Sequence, residues 1–219
     1  MKQEHINALR TCQLLKDINE KDFDVSVTFL NGIIKTYRKG QTIIHFGDSI
    51  HAVGIVLEGQ VEGSFLNETF NEYSLARFTT GEMFGEALCL IEEQNSPVEL
   101  KALVSTTILF VDIKPIVLRQ TKNTFAFTLS KNLISILAKK NHYLNLKVRL
   151  LSQKSLRDRI LMYISLLPQD KQGFRKIPFN ITSLSSYLGV NRRALSRELG
   201  RMENEEIIIR SKDYIKIND

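Results

Sequence analysis

Cysteine is nearly absent from this chain: Cys12 and Cys89 are the two thiols in 219 residues. Two are too few for a disulfide framework or for the four thiolates of an iron–sulfur cluster. Long apolar runs are missing too, and none approaches the length that crosses a bilayer. The first residues, Met1-Lys-Gln-Glu-His5, have no apolar core of the kind a secretory signal needs. These absences predict a cytoplasmic protein with reduced thiols and no membrane partner. What is present, 43% hydrophobic and 25% charged residues, suffices for a sizeable core and predicts two domains.

The most informative stretch is Asn180 to Met202. Leu184 and Leu188 stand at i, i+4, with small Ser185 on the same flank, and Gly189 follows. Leu195, Leu199 and Met202 then recur at i, i+4, i+7, the stripe of a helix packed on one side. Asn191 is a good N-cap for that second helix, and Gly189 reaches the positive φ of a tight turn. Two short helices about such a turn form a helix-turn-helix. The outward face of the second helix carries Arg192, Arg193, Ser196 and Arg197, continued by Arg201. Arginine reads guanine bidentately in the major groove, and serine donates to a base or a phosphate.

Charge is distributed accordingly. Residues 151–219 hold 13 Lys and Arg against 8 Asp and Glu, a net +5. Residues 1–150 hold the other 17 and 16, a net +1. A polyanion-binding region is expected at the C-terminal end, and the partner it predicts is double-stranded DNA.

Residues 6–30 read as short helices, through Leu14, Leu15 and Ile18 and then Phe23, Val25 and Phe29. From Ile33 to Val111 the pattern is short strands punctuated by glycine. Strands are expected at Thr42–Ile44, Val53–Leu57, Tyr73–Phe78, Ala102–Val104 and Thr107–Val111, which suggests a sandwich, barrel or jelly roll.

The order and spacing of Arg38-Lys39-Gly40, Gly47-Asp48, Leu57-Glu58-Gly59-Gln60-Val61 and Gly81-Glu82-Met83-Phe84-Gly85-Glu86 resemble the cyclic-nucleotide-binding β-roll of the Crp/Fnr transcription regulators. The helix-turn-helix resembles the DNA reader of the same family. The resemblance implies an α+β chain in three parts: a jelly-roll-like sensor at 1–117, a long dimerisation helix at 118–151 and a winged helix-turn-helix at 152–219. It also implies a homodimer and contact with RNA polymerase.

The sequence departs from the family after Glu86. Cyclic-nucleotide binders place the Glu on the ribose and, about ten residues on, an Arg followed by Ser or Thr on the cyclic phosphate. Here Ser96-Pro97 occupies those positions. A phosphate buried there would lack its cation, at a cost of several kcal/mol, so cyclic AMP is not the expected effector. Candidates for an effector pocket are Gly85, Glu86, Ser96, Pro97 and Lys101, with Leu144 of the long helix. For haem or a metal the candidate ligands are His45, His51, His142, Cys89, Met83 and Cys12, but no pair has a ligand spacing. The cofactor is therefore left open. The Glu-x-x-Ser-Arg pattern frequent on the family's recognition helix is also altered, with Arg193 in place of the Glu. That loses an acceptor for cytosine and gains a donor for guanine.

Residues 114–121 read as a connecting helix opened by Pro115, and a long helix follows from about Asn123 to Leu151. Its apolar residues form two stripes. Phe127, Ser130, Ile134, Leu137, Asn141, Leu144, Val148 and Leu151 form the uncharged one, the expected dimer seam. Leu129, Leu133, Ile136, Lys140, Tyr143, Lys147 and Leu150 form the other. A helix apolar on two faces is covered on both, by its own domain and by a partner. A hinge is expected at Ser152-Gln-Lys154, then a helix with a capping-box-like start at Ser155 and Asp158. Ile177–Phe179 reads as a strand, and Ile207–Arg210 with Tyr214–Ile217 as a hairpin.

The function expected is that of a dimeric, sequence-specific, effector-gated DNA-binding regulator, not an enzyme. Two alternatives are a DNA-binding protein without an effector and a cupin-like metalloenzyme. The second calls for two histidines separated by one residue, and no such pair occurs.

Overall fold

The computed structural model describes residues 2–66, 72–91, 95–118 and 124–218. Its internal contacts divide into two units, Met1–Lys139 and Lys140–Asp219.

The first unit opens with α1 (Gln3–Thr11), two single helical turns (Gln13–Leu15 and Glu20–Asp22) and α2 (Phe23–Phe29). Two four-stranded antiparallel sheets follow. One has the order β1 (Ile33–Tyr37), β8 (Thr106–Val111), β3 (Val53–Glu58), β6 (Met83–Phe84). The other runs β2 (Thr42–Ile44), β7 (Glu99–Ala102), β4 (Gln60–Leu66), β5 (Glu72–Thr79). This is the expected β-roll. Strand β3 lies between β8 and β6, and its Val53–Leu57 run is buried throughout. The β3–β4 turn needs Gly59. Its φ is +93°, and a Cβ there would stand 2.6 Å from the Ser105 carbonyl and 2.5 Å from Thr106 Oγ1. That close approach lets the Thr106 hydroxyl accept from the Gln60 N–H at 3.2 Å and donate to the Val104 carbonyl at 2.9 Å.

One strand expectation is corrected here, and β1, β4 and β6 are not among the strands expected. The strand placed at Ala102–Val104 is instead Glu99–Ala102, and residues 103–105 turn. Glu99 and Lys101 made the segment look polar, yet they alternate with buried Leu100 and Ala102 as a one-sided strand should. Strand β4 escaped notice because Gly63 interrupts it, and the ladder to β5 shifts register there.

The long helix is α4 (Thr124–Leu151), preceded by α3 (Lys114–Leu118); residues 119–121 of the expected connecting helix, and Asn123, lie outside the described residues. Within the first unit, α4 buries Leu129, Leu133 and Ile136 in the same core as β3, β8 and α1. Asn132, buried beside them, donates to the carbonyls of Leu14 (3.0 Å) and Lys16 (2.6 Å), tying the turn after α1 to α4.

The second unit has its own core, built on Leu150, Ile160, Ile164, Leu184, Leu188, Leu195, Leu199 and Met202. It contains the end of α4, then α5 (Leu156–Leu166), β9 (Arg175–Lys176), α6 (Ile181–Tyr187), α7 (Arg192–Asn204) and the hairpin β10 (Ile208–Ser211) and β11 (Tyr214–Ile217). Ser155 caps α5 by accepting from the Asp158 N–H at 3.0 Å, as its spacing predicts. The strand expected at Ile177–Phe179 is β9 instead, paired to β11. Ile177 still donates to Asp213 O at 2.7 Å, but Pro178 has no N–H with which to extend the ladder.

Candidate nucleic-acid interface

The helix-turn-helix is built from three capping devices. Asn180 starts α6 by accepting from the Ser183 N–H at 2.9 Å. At its other end Gly189 sits at φ +65°. Val190 N donates to Ser185 O (3.0 Å) and Gly189 N to Ser186 O (3.1 Å), the paired bonds of a glycine-terminated helix end. Asn191 then starts α7 by accepting from the Arg193 N–H at 2.7 Å. Leu195, Leu199 and Met202 are buried beneath, so the opposite face is fixed outward.

On that face Arg192, Arg193, Ser196 and Arg197 are exposed and line one shallow concavity. The Arg197 Nε–H donates to Arg193 O at 3.4 Å, which leaves the two terminal amino groups pointing on. Among the described residues Arg192, Arg193 and Arg197 have no carboxylate partner. Arg201 is also exposed and stands 3.7 Å from Glu198. Four cationic side chains near a single hydroxyl can neutralise phosphates and fork onto guanine edges.

Sequence reasoning missed what keeps this face positive. Helix α7 also carries Glu198 and Glu203, with Glu205 just beyond it. Arg157 of α5 donates from Nε to Glu198 at 2.8 Å and from its two amino groups to Glu205 at 2.5 and 3.1 Å. Arg210 of the hairpin forks onto one oxygen of Glu203 at 2.9 and 2.6 Å. The Arg157 hydrogen bonds hold the Glu205 carboxyl below its ordinary value. Arg157 and Glu198 lie 41 residues apart, and no local spacing could join them.

The effector candidates belong to the first unit, Leu144 excepted. Gly85 turns at φ +83° ahead of buried Glu86. Ser96 is buried, and its hydroxyl donates to Val98 O at 2.6 Å. Its backbone pairs with the opposing loop, Ser96 N to Asp48 O and Gly47 N to Ser96 O. Pro97 is exposed, and Lys101 pairs with Glu99 at 2.9 Å. Leu144 lies in the second unit and is exposed.

His45, His51 and His142 are exposed, whereas Met83, Cys12 and Cys89 are buried. Among the described residues no three His, Cys, Asp or Glu side chains gather as metal ligands would. Burial pushes both thiols up, Cys89 to about 11, with the Glu86 charge adding to the effect. The thiolate is the reactive form, so both cysteines should resist oxidation and alkylation. At pH 8 a pKa near 11 leaves a thiolate fraction of about one in a thousand, and iodoacetamide should label the folded protein roughly a hundredfold more slowly than the unfolded chain. Equal rates would make one of these thiols a candidate redox sensor after all.

Residues 34–116 match the family model of the cyclic nucleotide-binding domain. The anaerobic regulatory protein of Haemophilus influenzae is 22% identical over 212 residues, covering 92% of this chain and 79% of that protein. The catabolite activator protein of Thermus thermophilus superposes with a TM-score of 0.56 at 20% identity, over 94% of this chain and 93% of the other. CLP, a c-di-GMP responsive global regulator of Xanthomonas campestris, gives 0.55 at 17% identity, over 89% and 98%.

Proposed function

We propose that this chain is a regulator of the Crp/Fnr type, a homodimer binding a two-fold symmetric DNA operator; the match of residues 34–116 to the cyclic nucleotide-binding domain and the likeness to regulators of that kind support the reading. Regulators of this family bind DNA and act as dimers, and the relatives of this chain are regulatory proteins, not enzymes. The observation that carries the reading is the α7 face: three arginines with no carboxylate partner among the described residues, held outward by a capped, one-sidedly buried helix. In each protomer Arg193, Ser196 and Arg197 meet base edges, while Arg192 and Arg201 meet bases or phosphates. Asn191 sets the start of the helix. Half-sites then lie about one helical turn apart. The functional division is sensor 1–117, dimer helix 118–151 and reader 152–219, acting in the cytoplasm where RNA polymerase is met. Selection of bound duplexes from a random pool tests the reading. A palindromic consensus supports it, and recovery of unrelated sequences sinks it.

The dimer seam is the uncharged stripe of α4. Phe127, Ile134, Leu144 and Val148 are 76, 67, 58 and 62% exposed in the single chain. Along the other stripe Leu129, Leu133, Ile136 and Leu150 are buried. An apolar stripe this long needs a cover, and a second copy of the same helix supplies it.

The effector is not cyclic AMP. Ser96 spends its hydroxyl on Val98, Pro97 has no N–H to offer, and Lys101 is already paired with Glu99. No group at those positions replaces a bidentate guanidinium on the phosphate. Cyclic AMP at millimolar concentration should leave both Tm and operator affinity unchanged, because a ligand stabilises only what it binds. Calorimetry that detected micromolar binding would refute this.

A further inference from the structure

A helix of ordinary length leaves its last carbonyls without partners. At the end of α6 every one is satisfied, and the donors come from three places. Leu184 O accepts from Leu188 N, Ser185 O from Val190 N and Ser186 O from Gly189 N, all within the turn. Tyr187 O accepts from Lys147 Nζ of α4, and Leu188 O from the Arg159 guanidinium of α5 at 2.8 Å. The second Arg159 amino group donates to Leu151 O, the last carbonyl of α4, at 3.2 Å. Lys147 also lies 3.4 Å from the centre of the Tyr187 ring, a cation–π contact. That ring in turn stacks near Tyr163 and Phe179, at 5.6 and 5.3 Å. Two cations at the negative end of a helix dipole, each on a carbonyl, make a strong joint.

We infer that Lys147 and Arg159 are positioning residues for DNA recognition: they clamp the helix-turn-helix to the last three turns of α4, so that reader and lower dimer seam move as one body. Asn141, Leu144 and Val148 of the seam lie on the same stretch of helix as Lys147, roughly a quarter-turn around its axis. Residues 152–154, where a hinge is expected from the sequence, are thereby bridged by the Arg159 bonds to Leu151 and Leu188. The inference rests on the operator-binding reading above. A two-fold operator demands two readers at fixed spacing. A reader free to pivot would lose orientation that must be restored on binding, whereas loose binding to random DNA needs only charge.

The test compares Lys147→Met, which keeps the stem but removes the donor, with Lys147→Arg, which restores a cation and a donor. Lys147→Met should weaken operator binding about tenfold, the scale of one charge-assisted hydrogen bond, while random-duplex affinity and dimer mass stay unchanged. Lys147→Arg should recover most of the loss. Amide exchange without DNA should quicken in Lys147→Met over residues 140–151 and 181–190, and this arm stands whether or not an operator exists. Unchanged exchange overturns the clamp, as does equal loss on operator and random DNA. If Lys147→Met unfolds the unit, Arg159→Lys, which cannot reach two carbonyls at once, carries the same measurements. A wild-type protein that selects no operator defeats the reading beneath, and the exchange result alone then decides the clamp.

Discussion

Replacing Leu144 with Asp should turn the proposed dimer into a monomer. The residue is more than half exposed in the single chain, so the protomer itself tolerates a carboxylate there. In the seam that carboxylate would be buried against its symmetry mate without a cation, at a cost of several kcal/mol. Sedimentation should show the halved mass with an unchanged circular dichroism spectrum. Operator affinity should fall more than about a hundredfold, since each reader loses the high effective concentration its tethered twin provides. A variant that stays dimeric would move the interface off this stripe. The other stripe is a poor substitute, because Leu129, Leu133, Ile136 and Leu150 are already buried in the units' own cores.

Arg197→Ala should cost about 1–3 kcal/mol on the best operator and relax the preference at one base pair per half-site. The proposed contact of this side chain is with a base edge. Its Nε–H is directed to Arg193 O, which orients the planar fork and frees both terminal amino groups for guanine O6 and N7. Equal loss on operator and random DNA, with the base preference intact, would reduce Arg197 to a phosphate contact.

The reader was legible in the sequence because its determinants are local. Asn180, Gly189 and Asn191 sit at helix boundaries where their side chains or backbones have one use, and the Leu195, Leu199, Met202 stripe defines the outer face by elimination. The two stripes of α4 were readable for the same reason, since a helical period over 28 residues has no rival pattern. The β-roll was less so. A strand as polar as Glu99–Ala102, or one broken by Gly63 like β4, takes its identity from partners far along the chain. The clamp and the Arg157 pairs lay beyond reach altogether. Lys147 read as a charge interrupting an apolar stripe. Its partner is the carbonyl of a residue 40 positions away.

The pairing of Arg157 with Glu198 and Glu205, and of Arg210 with Glu203, bears on how the proposed DNA binding responds to ionic strength. The logarithm of DNA affinity falls with the logarithm of salt concentration at about 0.9 per phosphate neutralised, because each neutralised phosphate sheds a counterion. Residues 151–219 contain 13 basic side chains, but a guanidinium forked onto a carboxylate has already exchanged its counterion inside the protein. Arg157 and Arg210 therefore add to the formal charge without adding to the ion release. Specific binding should survive physiological salt better than the basic count suggests, with a larger share of its energy carried by groups that read bases.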